Sequence, residues 1–329
     1  MKAIVIQTNQ PGQPLAWQET AAPNYGADEV LVDIYTTALN RADLSQRAGH
    51  YPPPPGASTI LGLEMAGKIT AVGAQVSGWR VGDRVCGLLA GGGYAEQINL
   101  SQQLLIPMPN HWSYEQAAAM PEVFLTAYVN LFMEANLQVG ETVLIHGGAG
   151  GVGTAAIQLA REAGCRVFVT VGTADKAARC LELGAELAVN YKEQDFVAAI
   201  SEHVGSPQAV DVILDMVGAD YLPRNLSLLK LRGRIVFIAT LGGGKVEIDI
   251  RQLMGRRLRL IGSVLRSRSL EEKITIKENF MRQFWPKLVD GVIHPIIDVV
   301  YPIEQANEAH QHMADNRNIG KIILRVRED

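Results

Sequence analysis

Cysteine is scarce. The 329 residues contain three, Cys86, Cys165 and Cys180, far apart and without a CxxC pair. That spacing argues against a disulfide framework and a thiolate zinc site, and it fits a reducing compartment. Long apolar runs are missing too: none reaches the ~18 residues a spanning helix needs. Met1 and Lys2 lead into a short strand-like AIVI rather than a signal core, so a cytoplasmic protein is expected. Charge of one sign is also absent. The net charge is -4, which gives little pull toward nucleic acid or an acidic membrane. With 47% apolar and 19% charged residues, the chain reads as globular, and its length suits two domains.

Residues 1 to about 120 read as irregular β. Strand-like pieces at Ala3–Ile6, Val30–Thr36, Ala66–Val72 and Tyr94–Ile98 are punctuated by glycine and proline, as in a twisted, barrel-like sheet. Helical spacing takes over at Tyr114–Leu131. Strands then alternate with helices. The strands are expected at Thr142–His146, Arg166–Val171, Leu187–Asn190, Val210–Leu214, Arg234–Ile238 and Leu258–Val264, with helices near 152–163, 174–183, 194–203 and 220–230. This pattern predicts an α/β fold with a doubly wound parallel sheet. The tail carries a helix at Glu271–Leu288, a strand at Ile296–Tyr301, a helix at Ile303–Asp315 and a strand at Lys321–Val326. Its strands can return to the first domain, making the nucleotide domain an insertion.

The stretch TVLIHGGAGGVGTAAIQLA, Thr142 to Ala160, joins a β-branched run to a helical pattern through a glycine cluster. Gly148, Gly150 and Gly153 satisfy G-x-G-x-x-G. Such a turn lets backbone approach a pyrophosphate and aims helix N-terminal N–H groups at it. Gly148, Ala149, Gly150, Gly151 and Val152 are the candidate dinucleotide contacts. An NAD site places an acid at the end of the second strand, about 20 residues on. Here that strand runs into Gly172 and Thr173, with no acid. Lys176 follows in the next helix, and Tyr191 lies past the third strand. These four residues point to NADPH. Asp175 is the alternative ribose acid; it reads as a first-turn helix acid.

The motifs ALNRADL (38–44), YPPPPGAS (51–58), LGLEMAGKI (61–69), VGDRV (81–85), GAGGVGTAAIQLA (148–160), NYKEQDF (190–196), LRSR (265–268) and NIGKIIL (318–324) together resemble the medium-chain dehydrogenase/reductases. Among them they are most similar to the zinc-independent NADPH quinone oxidoreductases, of the tumour-suppressor-induced type. The resemblance spans essentially the whole chain. It implies a Rossmann domain, 122–264, inserted in a GroES-like β-rich catalytic domain formed by 1–121 and 265–329. It also implies a substrate site between the domains and a homodimer. Zinc-binding relatives carry Cys and His where this chain has Asn40 and Leu63, and a catalytic zinc generally needs three protein ligands, so no metal is expected.

The resemblance makes Tyr51 and Asn40 the candidate catalytic residues. A phenol can stack on a quinone and donate to its oxygen, and in related enoyl reductases the matching tyrosine is regarded as the proton donor. The bland alternatives are a rim aromatic against Pro52–Pro55 and an Asx turn at Asn40. Thr126, Leu241, Gly242, Leu265 and Ser267 correspond to segments at the nicotinamide. For Thr126 the alternative is a hydroxyl bonding back along its helix. Arg41 and Asp43 are expected to pair, and Glu64 to be structural. The arginine-dense stretch 251–268 lacks any RNA-binding signature and reads as a solvated face with one or two cofactor contacts, and the strand Leu258–Val264 as a sheet edge for a second copy. The expected activity is NADPH-dependent reduction of a small quinone or similar activated carbonyl. The alternatives are an enoyl-thioester or enone reductase, and a low-turnover NADPH-binding, structural or RNA-binding protein.

Overall fold

The computed structural model describes residues 1–328. The chain forms two compact units, Met1–Leu125 together with the chain from Arg266 onward, and Thr126–Leu265.

The first unit opens with a two-stranded ribbon, β1 (Lys2–Ile6) and β2 (Leu15–Glu19). Then come β3 (Glu29–Ala38), β4 (Glu64–Val72), β5 (Arg84–Leu88), β6 (Gln97–Ser101) and β7 (Leu105–Pro107). In β3 the alternation of buried and half-buried residues marks a sheet covered on one face. The strand expected at Tyr94–Ile98 lies later, at β6. Tyr94 instead exchanges backbone bonds with Leu61 and Ile4 in the glycine-rich turn before it. The short β2, β5 and β7 were not foreseen. Helix α1 (Arg41–Arg47) follows β3, and α2 (Tyr114–Ala118) starts at a Ser113–Gln116 capping box.

Helix α3 (Pro121–Tyr128) starts with proline, whose missing N–H costs nothing there. It is continued by a wider π-type turn, Val129–Glu134, in which Ala135 N–H reaches Asn130 O. The second unit then runs β8 (Thr142–His146), α4 (Gly151–Glu162), β9 (Arg166–Val171), α5 (Ala174–Glu182), β10 (Leu187–Asn190), α6 (Phe196–Val204), β11 (Val210–Asp215), α7 (Leu222–Leu228), β12 (Leu229–Phe237), α8 (Ile250–Arg256) and β13 (Arg259–Gly262). Every pairing in its sheet is parallel, in the order β10-β9-β8-β11-β12-β13. All of β8 is buried, as expected of a parallel strand covered on both faces. The strand order reverses between β8 and β11, and open α/β sheets bind ligands at that switch point, beyond the strands' carboxyl ends.

The tail adds α9 (Leu270–Val289), β14 (Ile297–Pro302), α10 (Ala306–Ala314) and β15 (Lys321–Arg325). β15 pairs antiparallel with β3, Ile323 opposite Ala38, so the two chain segments of the first unit share one sheet. Among the described residues no helix is long and apolar enough to cross a membrane.

Candidate functional site

The glycine turn follows β8 and ends at Gly150, the N-cap of α4. A Cβ on Gly153 would stand 2.4 Å from the Gly147 carbonyl oxygen and 2.5 Å from that of Gly148. Only glycine lets α4 pack this closely on the turn. Gly150 is different: a Cβ there would meet nothing nearer than 3.5 Å. The first N–H groups of α4 have no intrahelical partners, so the turn fits a pyrophosphate.

After β9 the chain bends through Gly172 and Thr173, whose hydroxyl caps α5 by accepting from Lys176 N at 3.4 Å. Above Gly172 stands Tyr191, from the end of β10. A Cβ on Gly172 would lie 2.9 Å from the Tyr191 hydroxyl and 3.5 Å from Lys192 Cε. Gly172, Tyr191 and Lys192 therefore form one cluster, with Lys176 at the first turn of the adjoining helix. The tyrosine is 44% exposed, and its hydroxyl has no hydrogen-bond partner among the described residues. Sequence reasoning missed Lys192, although its place beside Tyr191 in NYK was a usable signal. Asp175 is exposed on α5.

Beneath the glycine turn lies a buried polar chain that sequence reasoning also missed. Asp215, ending β11, accepts from Val217 and Gly218 N–H at 2.6 and 3.0 Å and from Asn225 Nδ2 at 2.9 Å. Asn225 Oδ1 is 2.8 Å from His146 Nε2, and His146 Nδ1 is 2.9 Å from the Thr170 hydroxyl. With the amide hydrogen of Asn225 directed at Asp215, its oxygen must accept. The His146 proton therefore sits on Nε2, and Nδ1 accepts from Thr170. Burial lowers the His146 pKa, against the pull of Asp215, so the ring is neutral. The chain ties together the carboxyl ends of β8, β9 and β11.

Thr126 Oγ1 is buried without a hydrogen-bond partner. The expected alternative, a bond back along the helix, is not made; Asn130 Nδ2 takes the Thr126 carbonyl instead, at 2.7 Å. Leu241 and Gly242 sit in the loop after β12, held to Met216 and Val217 by backbone bonds of 3.1 and 2.7 Å. Leu265 is buried and Ser267 exposed, and the boundary between the units falls between them.

In the first unit, the ends of β3, β4 and β15 bring together Asn40, Glu64 and Lys321. Lys321 Nζ bridges Glu64 Oε1 at 2.6 Å and Asn40 Oδ1 at 2.7 Å, and Asn40 Nδ2 donates to Glu64 Oε1 at 2.9 Å. The Asn40 amide is thus committed inside the protein at both ends. Its backbone N–H is taken by Asp43 Oδ2 at 2.8 Å. Asp43 also accepts from Gly62 N and Tyr94 Oη, at 3.2 Å each. The expected Arg41–Asp43 pair does not form: Asp43 is fully buried, and Arg41 reaches Asn316 at 2.7 Å.

Tyr51 is half-buried under Arg266, whose guanidinium carbon lies 5.2 Å from the ring centre. Arg266 is itself fixed by Ala90 O at 2.8 Å and Gln46 Oε1 at 2.7 Å. Other arginines of the dense stretch are also engaged: Arg251 with Asp249, Arg256 with backbone carbonyls, Arg268 with Glu272. Among the described residues no three His, Cys, Asp or Glu side chains gather as metal ligands. Leu63 has no ligating atom, and Cys86 is buried with its thiol pKa pushed up by that burial. Burial likewise pushes Cys165 up to about 11 and Cys180 up to about 12.

The alcohol dehydrogenase GroES-like domain family matches residues 26–110, and the zinc-binding dehydrogenase family matches residues 151–279. A mouse quinone oxidoreductase is 32% identical over 98% of this chain and 97% of its own. The chain belongs to the quinone oxidoreductase family of medium-chain dehydrogenase/reductases. Its β-rich unit is accordingly GroES-like and its parallel-sheet unit a Rossmann domain. The Escherichia coli quinone oxidoreductase solved with NADPH superposes with a TM-score of 0.87 at 30% identity, covering 99% of this chain and all of that one. The CurK enoyl reductase gives 0.86 at 29% identity, covering 98% of each chain.

Proposed function

We propose that the chain reduces quinones, or similarly activated carbonyls, with NADPH at a site without zinc. The observation that carries the reading is the acid-free bend Val171–Thr173, with the Tyr191 hydroxyl, Lys192 and Lys176 around it. A carboxylate there would hold a ribose hydroxyl and repel a 2′-phosphate. A hydroxyl and ammonium groups favour the phosphate instead. The relatives named quinone oxidoreductase, one of them solved with NADPH, support the same reading.

Bound reduced nicotinamide supplies a hydride equivalent. The chain's own residues do the rest. The α4 N-terminus holds the pyrophosphate, Tyr51 stacks on and orients the substrate, and Arg266 fixes Tyr51. Asn40 acts as a positioning residue, holding Glu64 and Lys321. Leu63 and the committed Asn40 amide support a metal-free site. We further propose a cytoplasmic homodimer, paired through the edge strand β13.

The test is NADPH oxidation with 1,2-naphthoquinone and, separately, with a crotonyl thioester. Faster turnover of the quinone is expected. The likeness to CurK favours a second reading, enoyl-thioester reduction, and faster turnover of the thioester would establish it. Tight NADPH binding with no turnover of either would leave a binding protein.

A further inference from the structure

Helices α1 and α10 of the first unit leave a cavity of about 510 Å³ between them, rimmed by the turn that joins β1 to β2. Leu44, Arg47 and Ala48 line it from α1, at the i, i+3 and i+4 spacing of one helix face. His310 and Ala314 line it from α10, again four residues apart. Pockets that hold small molecules run from about 300 to 1,000 Å³. No acid lines this one, and it shares no residue with the candidate cofactor and substrate residues placed above.

Two of its polar groups are incomplete. Arg47 Nε donates to Gln13 O at 2.9 Å, and Nη2 donates to Gly12 O at 3.3 Å and to Asn307 Oδ1 at 3.0 Å. All three acceptors are neutral. Among the described residues no carboxylate pairs with this guanidinium, and Nη1 has no partner. A half-buried cation held only by neutral acceptors still attracts an anion. His310 is 2% exposed, and its Nδ1 is buried without a partner.

The neighbours of His310 fix its tautomer. The Asp43 carboxylate accepts from the Asn40 and Gly62 N–H groups and from the Tyr94 hydroxyl. Tyr94 Oη has thus given its proton away and is left to accept from His310 Nε2, 3.3 Å from it. The ring proton sits on Nε2, and Nδ1 is a bare lone pair. Burial, with Arg47 adding to it, holds the ring pKa down to about 3. The ring is neutral at physiological pH, so Nδ1 can only accept.

We propose that this cavity binds a small carboxylate that also bears a hydroxyl. The carboxylate takes Arg47 Nη1, the hydroxyl donates to His310 Nδ1, and the carbon frame lies against Leu44, Ala48 and Ala314. The two incomplete groups make opposite demands. Chloride or a simple carboxylate brings no donor and leaves Nδ1 unmet. A neutral alcohol leaves the guanidinium unpaired. One molecule with both groups answers both, and the site does not depend on the reading of the chain as a quinone reductase.

Calorimetric titration of the full chain with 3- and 4-hydroxybenzoate tests the proposal, the two isomers differing in the span from hydroxyl to carboxylate. At least one should bind with a Kd of about 1 mM or below. Benzoate, which lacks the hydroxyl, and the matching hydroxybenzamide, which lacks the charge, should each bind at least about tenfold more weakly. Arg47→Met should weaken binding by at least about tenfold. Arg47 also holds the β1–β2 turn, so a second variant is needed. Ala48 is exposed, and Ala48→Phe fills the cavity while keeping both polar groups; it should block the hydroxybenzoate and leave the Kd for NADPH unchanged. Failure of both isomers to bind the wild type would overturn the proposal, as would benzoate or the amide binding equally well. An unchanged hydroxybenzoate Kd in either variant would place the ligand elsewhere and overturn it too.

Discussion

A methyl group added to Gly172 would lie 2.9 Å from the hydroxyl of Tyr191. The bend after β9 and the residue following β10 close on each other only because position 172 carries no side chain. Gly172→Ala must push the phenol away. We expect the Kd for NADPH to rise roughly tenfold, about the effect of losing one hydrogen bond, and NADH to be much less affected. Fluorescence titration of both cofactors checks this, and equal losses would place the tyrosine outside the phosphate site.

Lys176 and Lys192 flank that bend from different elements. Lys176→Ala and Lys192→Ala should each weaken NADPH far more than NADH. The difference should shrink as salt rises, because exposed charge pairs are screened within about 10 Å at 0.1 M salt. Calorimetric titrations at two salt concentrations read it directly. A Lys192→Ala variant that binds NADPH as the wild type does would remove that lysine from the site.

The Asp215–Asn225–His146–Thr170 chain lies beneath the glycine turn. Asp215→Ala leaves the Val217 and Gly218 N–H groups and the Asn225 amide without an acceptor. We expect a loss of about 2–4 kcal/mol in thermal or denaturant unfolding. Asp215→Asn should cost less: its oxygen can still accept from the two N–H groups, and Asn225 can flip if His146 changes tautomer. Equal losses for both variants would mean that the carboxylate's shape is irrelevant.

Glu122 also makes stability depend on pH. Its folded pKa, about 8, exceeds the ordinary 4.5, so the native state binds this proton more tightly than the unfolded chain. The stability it contributes is complete below about pH 4.5 and is lost as pH rises through 8. Glu122→Gln does not titrate. Its melting temperature relative to the wild type should therefore climb between pH 5 and 9, by the equivalent of at least about 1 kcal/mol. A constant offset across that range would contradict the shift.

Much of the second unit was legible in the sequence because parallel strands buried on both faces are continuous β-branched runs, here closed by glycine. β8 and its turn are the clearest case. The first unit was harder. β7 has three residues and offers no periodicity to detect, and Tyr94 looked like the start of a strand while serving a glycine-rich turn. The glycine turn was readable from spacing, since its function resides in local backbone. Glu122 was not: after a proline at a helix start it reads as an ordinary first-turn acid. Its setting comes from β4, β15 and α1, which only the folded sheet brings together. Asn40 shows the reverse. The motif suggested a substrate contact, whereas the structure ties its amide to Glu64 and Lys321.

The most direct measurement is the ratio of kcat/KM for NADPH to that for NADH, with 1,2-naphthoquinone as acceptor. An acid-free bend ringed by a hydroxyl and two lysines predicts a ratio above roughly tenfold, the worth of one or two charge-assisted bonds to a phosphate. A ratio near one, or a preference for NADH, would contradict the account.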